Sequence, residues 1–226
     1  MAEDWYRVGL VLTSTNTTME RDFWRNLPPA VTVHTTRLHL PGGQVWDLEQ
    51  VVDVGIPQAV RQLSALQPHA VVLGITILSA LRGNETEERV CADLTGEIGA
   101  PVTSAMLESR RALHALGARR VACVSPYPAA LNERVRASLV ADGFEVVAFA
   151  GMGIESGFGL CAVTPAELVA FAQAELRDVA ADALLCVSTA LRALEALPRL
   201  RRLFPIPVVT TNQAALSACR RLLLLD

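Results

Sequence analysis

A chain of 226 residues with a formal net charge of −3 can bury a sizeable core, as one large domain or two small ones, and without a basic run or many aromatics it has no signature of nucleic-acid or anionic-membrane binding. No uninterrupted apolar stretch is long enough to span a bilayer, and the start Met1-Ala-Glu-Asp-Trp5 lacks a secretory pattern, so a cytoplasmic location is expected. Five scattered cysteines (Cys91, Cys123, Cys161, Cys186, Cys219) and four histidines have no ligand spacing, so reduced thiols and no metal are expected.

In chain order, Tyr6 to Thr13 reads as a strand that ends in Ser14-Thr-Asn-Thr-Thr18. Thr17 or Thr18 followed by Glu20 and Asp22 has the pattern of a helix N-cap with first-turn carboxylates. Capping accounts for one threonine, but not for four hydroxyls and an amide in a row, so Thr15 and Asn16 are candidate ligand contacts. Val31 to Leu40 is the second strand, with Arg37 and His39 sharing one face near its end. A solvated edge accounts for both, and His39 is also a candidate substrate contact. Leu48 to Leu66 is an amphipathic helix. His69 to Ile75 is apolar on both faces, as a strand inside a parallel sheet reads. Thr76 to Gly83 forms its mouth, Glu85 to Ile98 returns as a helix, Pro101-Val102 is a short strand, and Ser104 to Leu116 is a helix closed by Gly117.

Arg120 to Val124 opens a second series. Ser125-Pro-Tyr127-Pro128 leads into the helix Ala129 to Asp142, and a phenol in such a strand-end loop can either donate to an anion or simply pack. Phe144 to Phe149 is a strand, Gly151 to Gly159 is Gly-rich without phosphate-binding register, and Thr164-Pro165 starts a helix running to Asp178. Ala183 to Val187 is again apolar and stops at Ser188-Thr189, directly before an apparent helix from Ala190 to Leu203. Ligands of open α/β sheets collect at such strand ends, where helix N-termini expose unpaired N–H groups. Ile206 to Thr210 is the last strand, and the closing helix from Asn212 to about Leu224 is expected to pack on the first half.

The two series share a register. Ile75 pairs with Ser188 and Thr76 with Thr189 at an offset of 188 − 75 = 113, as do Arg7-Val8 with Arg120-Val121, Glu20 with Glu133 and Val31 with Phe144. Past the central strands Pro101-Val102 answers Pro207-Val208, an offset of 106. Two similar α/β halves are therefore expected, residues 1–117 with 212–226 and residues 118–211, with the main site between them.

Thr15-Asn-Thr-Thr-Met-Glu20, the strand-end pairs, Ser125-Pro-Tyr127 with Asn132-Glu-Arg134, and Pro207-Val-Val-Thr-Thr-Asn-Gln-Ala214 together carry a family likeness. The chain resembles the maleate isomerase and arylmalonate decarboxylase branch of the aspartate/glutamate racemase superfamily. The resemblance implies two pseudo-symmetric flavodoxin-like halves, each a parallel sheet of about four strands flanked by helices, with the active site in the cleft. It also implies small carboxylate substrates and no cofactor or metal. Racemases and maleate isomerases of this superfamily place cysteines at both central strand ends, and the decarboxylase keeps only the second. Here those positions carry Ile75 and Ser188, with Cys186 two residues earlier on the same strand face as Ser188.

Removing a proton or carbon dioxide beside a carboxylate generates enediolate charge, which preorganised donors must stabilise. Thr76, Tyr127, Ser188 and Thr189 are the candidate catalytic donors. Asn16 and Thr15 could hold a second carboxylate, and Ile75 and Ile77 an apolar substituent. Two-base racemisation is excluded, because Ile75 cannot transfer a proton and a serine is a far weaker acid than a thiol. Three readings remain: a cofactor-independent lyase or isomerase, decarboxylase-like by preference; a non-catalytic carboxylate-binding protein; and a biosynthetic enzyme of cyclisation or elimination that reuses the pocket. In each the partner is a small carboxylate, not nucleic acid or membrane, and homo-oligomers are compatible with all three. Ile75 and Ser188 are expected to face each other across one cleft.

Overall fold

The computed structural model describes residues 5–225. Its eight strands form two parallel sheets of four. β1 (Tyr6–Thr13), β2 (Val31–Leu38), β3 (Ala70–Leu73) and β4 (Val102–Ser104) lie in the order β2-β1-β3-β4. β5 (Arg120–Ser125), β6 (Glu145–Gly151), β7 (Ala183–Cys186) and β8 (Val208–Thr210) repeat it as β6-β5-β7-β8. The central strands begin 183 − 70 = 113 residues apart and the edge strands 208 − 102 = 106, which is the slip expected from the two proline-valine pairs. Every residue of β3 and β7 is buried, because helices cover both faces of each sheet; hence the unbroken Val/Leu runs in place of alternation.

Ten helices connect and cover the strands: α1 (Met19–Asn26), α2 (Leu48–Ser64), α3 (Leu78–Arg82), α4 (Asn84–Ile98), α5 (Ala105–Ala115), α6 (Ala129–Ala141), α7 (Gly157–Ala162), α8 (Pro165–Leu176), α9 (Ala193–Leu203) and α10 (Thr211–Leu222). Local chemistry sets several ends. Thr164 accepts from the Glu167 amide while Glu167 reaches back to Thr164, and Pro165 takes the first helical position of α8. Gly99 and Gly117 adopt φ of +68° just past α4 and α5, which a residue with a Cβ rarely tolerates. The short α3 and α7 were not foreseen; α7 grows out of the Gly-rich 151–159 stretch because Ser156 accepts from the Gly159 amide. Six residues are too few for a helical period to register in the sequence.

The last helix of each series crosses over to the other. Ala215, Leu216, Cys219 and Leu223 of the α10 region pack with Val8, Leu10 and Val72 of the first sheet, as expected for the closing helix. Leu107 and Leu113 of α5 share a cluster with Val121, Cys123 and Val209 of the second. A buried ion pair braces the same region: Arg110 meets Glu87 at 2.6 Å and Glu88 at 3.0 Å, and approaches Asp142 at the end of α6 at 3.4 Å. Removing one partner would strand an uncompensated buried charge. No helix among the described residues is long and apolar enough to cross a membrane.

Candidate active site

Parallel strands deliver their C-terminal ends to one side of a sheet, and here the two sheets present those ends to each other. The ends of β1, β3, β5 and β7 surround a narrow cavity of about 40 Å³. Thr15, Asn16, Ile75, Thr76, Ile77, Tyr127, Ser188 and Thr189 all line it. Ile75 and Ser188 thus border the same space, one from each sheet.

The turn after β7 is the most constrained part of the site. Ser188 has φ of +136°, a backbone conformation that favours glycine. Surrounding bonds hold it there. The Thr189 amide donates to Thr76 Oγ1 (3.1 Å) and the Thr189 hydroxyl to the Gly74 carbonyl (2.9 Å). Thr18 Oγ1 donates to the Ala190 carbonyl at 2.7 Å, and the Ala190 amide to Ser188 Oγ at 3.2 Å. Ser188 and Thr76 therefore each accept one backbone N–H and keep a hydroxyl proton to give.

Tyr127 completes a cluster of three hydroxyls, its own lying against those of Ser188 and Thr76. Burial pushes its pKa up, the two hydroxyls partly offsetting this, so the phenol is held neutral as a donor. The loop that carries it is built by two polar side chains. Ser125 Oγ accepts from the Tyr127 amide (3.1 Å) and donates to Asn132, whose Nδ2 donates to the Tyr127 carbonyl (3.0 Å).

Asn16 has work within the fold. Its Oδ1 accepts from the Thr18 and Met19 amides (3.0 and 3.1 Å), so it caps α1, and neither Thr17 nor Thr18 makes a side-chain cap. An asparagine can bridge two residues ahead in this way as readily as a threonine can cap in place. One Nδ2 proton goes to Thr189 Oγ1 at 3.0 Å, leaving a single proton for any ligand.

One sequence candidate lies away from the cavity. His39 is exposed and lines a separate surface depression with Thr36, Arg37 and Gln58. Alternation is the cause: Leu38 and Leu40 turn inward and Leu40 lines the cavity, so His39 between them faces solvent. Cys186 is fully buried in the helix-side cluster with Ala122, Val124 and Leu191, and its thiol is pushed up to about 12 by burial. It is not among the residues that line the cavity.

Sequence reasoning missed the cover of the cavity. Leu40, Val45, Leu48, Gly157 and Leu160 line it from the loops after β2 and β6. These loops are joined by the Val45 amide to the Glu155 carbonyl (2.9 Å) and the Gly157 amide to the Gly43 carbonyl (2.8 Å). A Cβ on Gly157 would lie 2.5 Å from Thr15 Oγ1 and 3.0 Å from the Gly43 carbonyl, so the close approach requires glycine. The only available signal was the glycine density itself. Gly74 was missed too; a Cβ there would meet Leu12 at 2.4 Å and Met19 at 2.6 Å. No cationic side chain lines the cavity, and among the described residues no group of three His, Cys, Asp or Glu could hold a metal ion.

Residues 27–226 match the arylmalonate decarboxylase family. The chain belongs to that family. A maleate isomerase of Pseudomonas putida (strain KT2440) is 28% identical over 177 residues, covering 72% of this chain and 70% of the relative. The arylmalonate decarboxylase of Bordetella bronchiseptica is 28% identical over 175 residues, covering 77% and 71%. Among solved structures, the maleate isomerase of Pseudomonas putida S16 superposes with a TM-score of 0.89 at 22% identity, covering 97% of this chain and 93% of that one. A mutant of arylmalonate decarboxylase in a liganded form gives 0.82 at 25% identity, covering 96% and 92%. Family members thus share the paired four-stranded halves described above.

Proposed function

We propose that this member of the arylmalonate decarboxylase family is a cofactor-independent lyase or isomerase, decarboxylase-like, acting on a small carboxylic or dicarboxylic acid. The observation that carries the reading is the convergence of the Ser188, Thr76 and Tyr127 hydroxyls beside a strained turn in a cavity that no charged side chain lines. The division of labour assumes that residues 1–117 with 212–226 form one half and residues 118–211 the other.

In a decarboxylation, the bond to the departing carboxyl breaks, carbon dioxide leaves, and the electrons remain on the α-carbon and delocalise onto the retained carboxylate as an enediolate; the α-carbon then takes a proton that comes from solvent through a hydroxyl of the cluster. Ser188, Thr76 and Tyr127 donate to that developing charge, with Thr189 ordering the turn and the second Nδ2 proton of Asn16, beside Thr15, available to the acid being lost. Donors fixed before the reaction stabilise such charge without reorganising. Ile75 and Ile77, with Leu40, Val45, Leu48 and Leu160 of the cover, take the substituent on the α-carbon and keep water out.

The second reading, a non-catalytic carboxylate-binding protein, is favoured by one specific observation: no cysteine lines the cavity to hand a proton to carbon. One experiment separates the two. The protein is incubated in deuterated water with phenylmalonate, methylmalonate, maleate and aspartate and followed by proton NMR. The lyase reading expects carbon dioxide release with deuterium at one carbon. Shifted and broadened signals without conversion would establish the binder, and no response from any acid would sink both.

A further inference from the structure

Asn212 and Asp22 lie outside the cavity lining, yet they grip its most strained turn. Asn212, 1% exposed, donates from Nδ2 to the Thr189 carbonyl (3.1 Å) and to Asp22 Oδ2 (2.8 Å). Two acceptors on one amide nitrogen fix the orientation of the group, because the flipped amide would set its oxygen against a carboxylate. Its own Oδ1 is consequently buried without a partner. Asp22, 2% exposed on α1, is a carboxylate taken out of water, with that one amide as its side-chain donor. Both groups therefore bear a desolvation cost that an apolar pair in the same place would not. What the arrangement delivers is a fixed Thr189 carbonyl, one residue past the φ of +136° at Ser188.

We propose that Asn212, anchored by Asp22, is a positioning residue: by holding the Thr189 carbonyl it keeps Ser188 in its strained conformation, with the Ser188 hydroxyl turned toward Thr76 and Tyr127. The pair joins three separate elements, α1 (Asp22), α10 (Asn212) and the turn after β7, so the turn cannot relax without moving two helices that pack on the first sheet. Stability given up to hold a site in shape is a recurrent trade in enzymes. The inference rests on the Proposed function for its kinetic consequence, but not for its structural one.

A purely structural pair and a positioning pair respond oppositely to substitution. Asp22→Leu keeps the volume and removes the anchor. Relief of the buried carboxylate and loss of its bond to Asn212 oppose each other, so the melting temperature is expected to move little, while kcat on phenylmalonate falls about tenfold with KM within twofold. Asp22→Asn, whose amide oxygen can accept the same bond, is expected to restore most of that loss. Crystal structures of Asp22→Leu and Asn212→Ala supply a readout independent of turnover, with Ser188 φ expected to leave the positive region. Ser188 φ unchanged in both variants, or a lower melting temperature with kcat unaffected, overturns the proposal. If the parent converts no acid in the panel, the Proposed function fails and the φ measurement alone decides this one.

Discussion

At the end of β3 the chain runs Gly74-Ile75-Thr76-Ile77, and 113 residues later, at the end of β7, it runs Val187-Ser188-Thr189-Ala190. The two threonines are repeat equivalents, 189 − 76 = 113, and they touch: the Thr189 amide donates to Thr76 Oγ1. A symmetric dyad would answer with the Thr76 amide on Thr189 Oγ1. Instead the Thr189 hydroxyl donates to the Gly74 carbonyl and accepts from Asn16. Symmetry breaks at the contact itself. The first strand end gives an isoleucine wall and an acceptor; the second gives a strained serine whose hydroxyl faces the cavity. A repeated fold thus supplies two equivalent strand ends at the same place, and substitution has given them different work.

The largest expected effect lies at the strained end. Ser188→Ala removes one donor from the hydroxyl cluster and should lower kcat on any converted acid by about 10²- to 10³-fold, the usual loss for one oxyanion donor. Ile75→Ala, at the equivalent position, should mainly weaken binding of acids with a bulky α-substituent, raising KM with kcat little changed. Equal kcat losses in the two variants would mean that the halves are chemically alike after all. Steady-state rates on phenylmalonate against methylmalonate provide the measurement.

How much of this was legible follows from what sequence can encode. The strands were readable because burial on both faces leaves unbroken runs such as Ala70–Leu73 and Ala183–Cys186. The repeat was readable because both series end their central strands in the same short pattern. His39 was misread because a one-residue step along an extended chain reverses the face a side chain occupies. Asn16 looked like a ligand contact and turned out to be also a cap, since both uses select the same residue before a helix. The conformation of Ser188 could not be read at all: nothing in a serine announces a positive φ, which the bonds to Thr189 and Ala190 impose from residues as far away as Asn16, Thr18 and Asn212. Asp22 and Asn212 were equally silent, being ordinary helix-start residues until folding brings them together.

A middle-sized effect should appear on α1. The repeat equivalent of Asp22 is Val135 on α6 (22 + 113), which is fully buried and apolar. Burial raises the Asp22 pKa from 3.8 to about 6, with Asn212 and Arg21 opposing and Glu195 adding to the rise. Because the folded value lies above the unfolded one, the native state binds more protons between them. The stability contributed by Asp22 is fully present below about pH 4 and is lost as pH rises through about 6, a loss by neutral pH on the order of 3 kcal/mol. Asp22→Asn removes this dependence. Relative to the parent, the variant should gain stability from pH 4 to pH 7 in denaturant titrations. A difference that stays flat over that range would show that Asp22 titrates normally.

The smallest effect belongs to the thiol nearest the site in sequence. Cys186 is the repeat equivalent of Leu73 (186 − 113), and both close their central strands fully buried. A thiol in that place is a small apolar side chain, pushed up to about 12 by loss of water, and it does not line the cavity that Ser188 lines. Cys186→Ala removes one sulfur from packed surroundings and should cost about 1 kcal/mol of stability, toward the low end for a core truncation. Turnover should change by less than twofold, and iodoacetamide should leave the parent's activity intact at pH 8. Loss of activity in Cys186→Ala with Ser188→Ala silent would transfer the chemistry two residues upstream. The strand would then have to end before Cys186, breaking the Cys186–Thr210 pairing and with it the match between the two sheets.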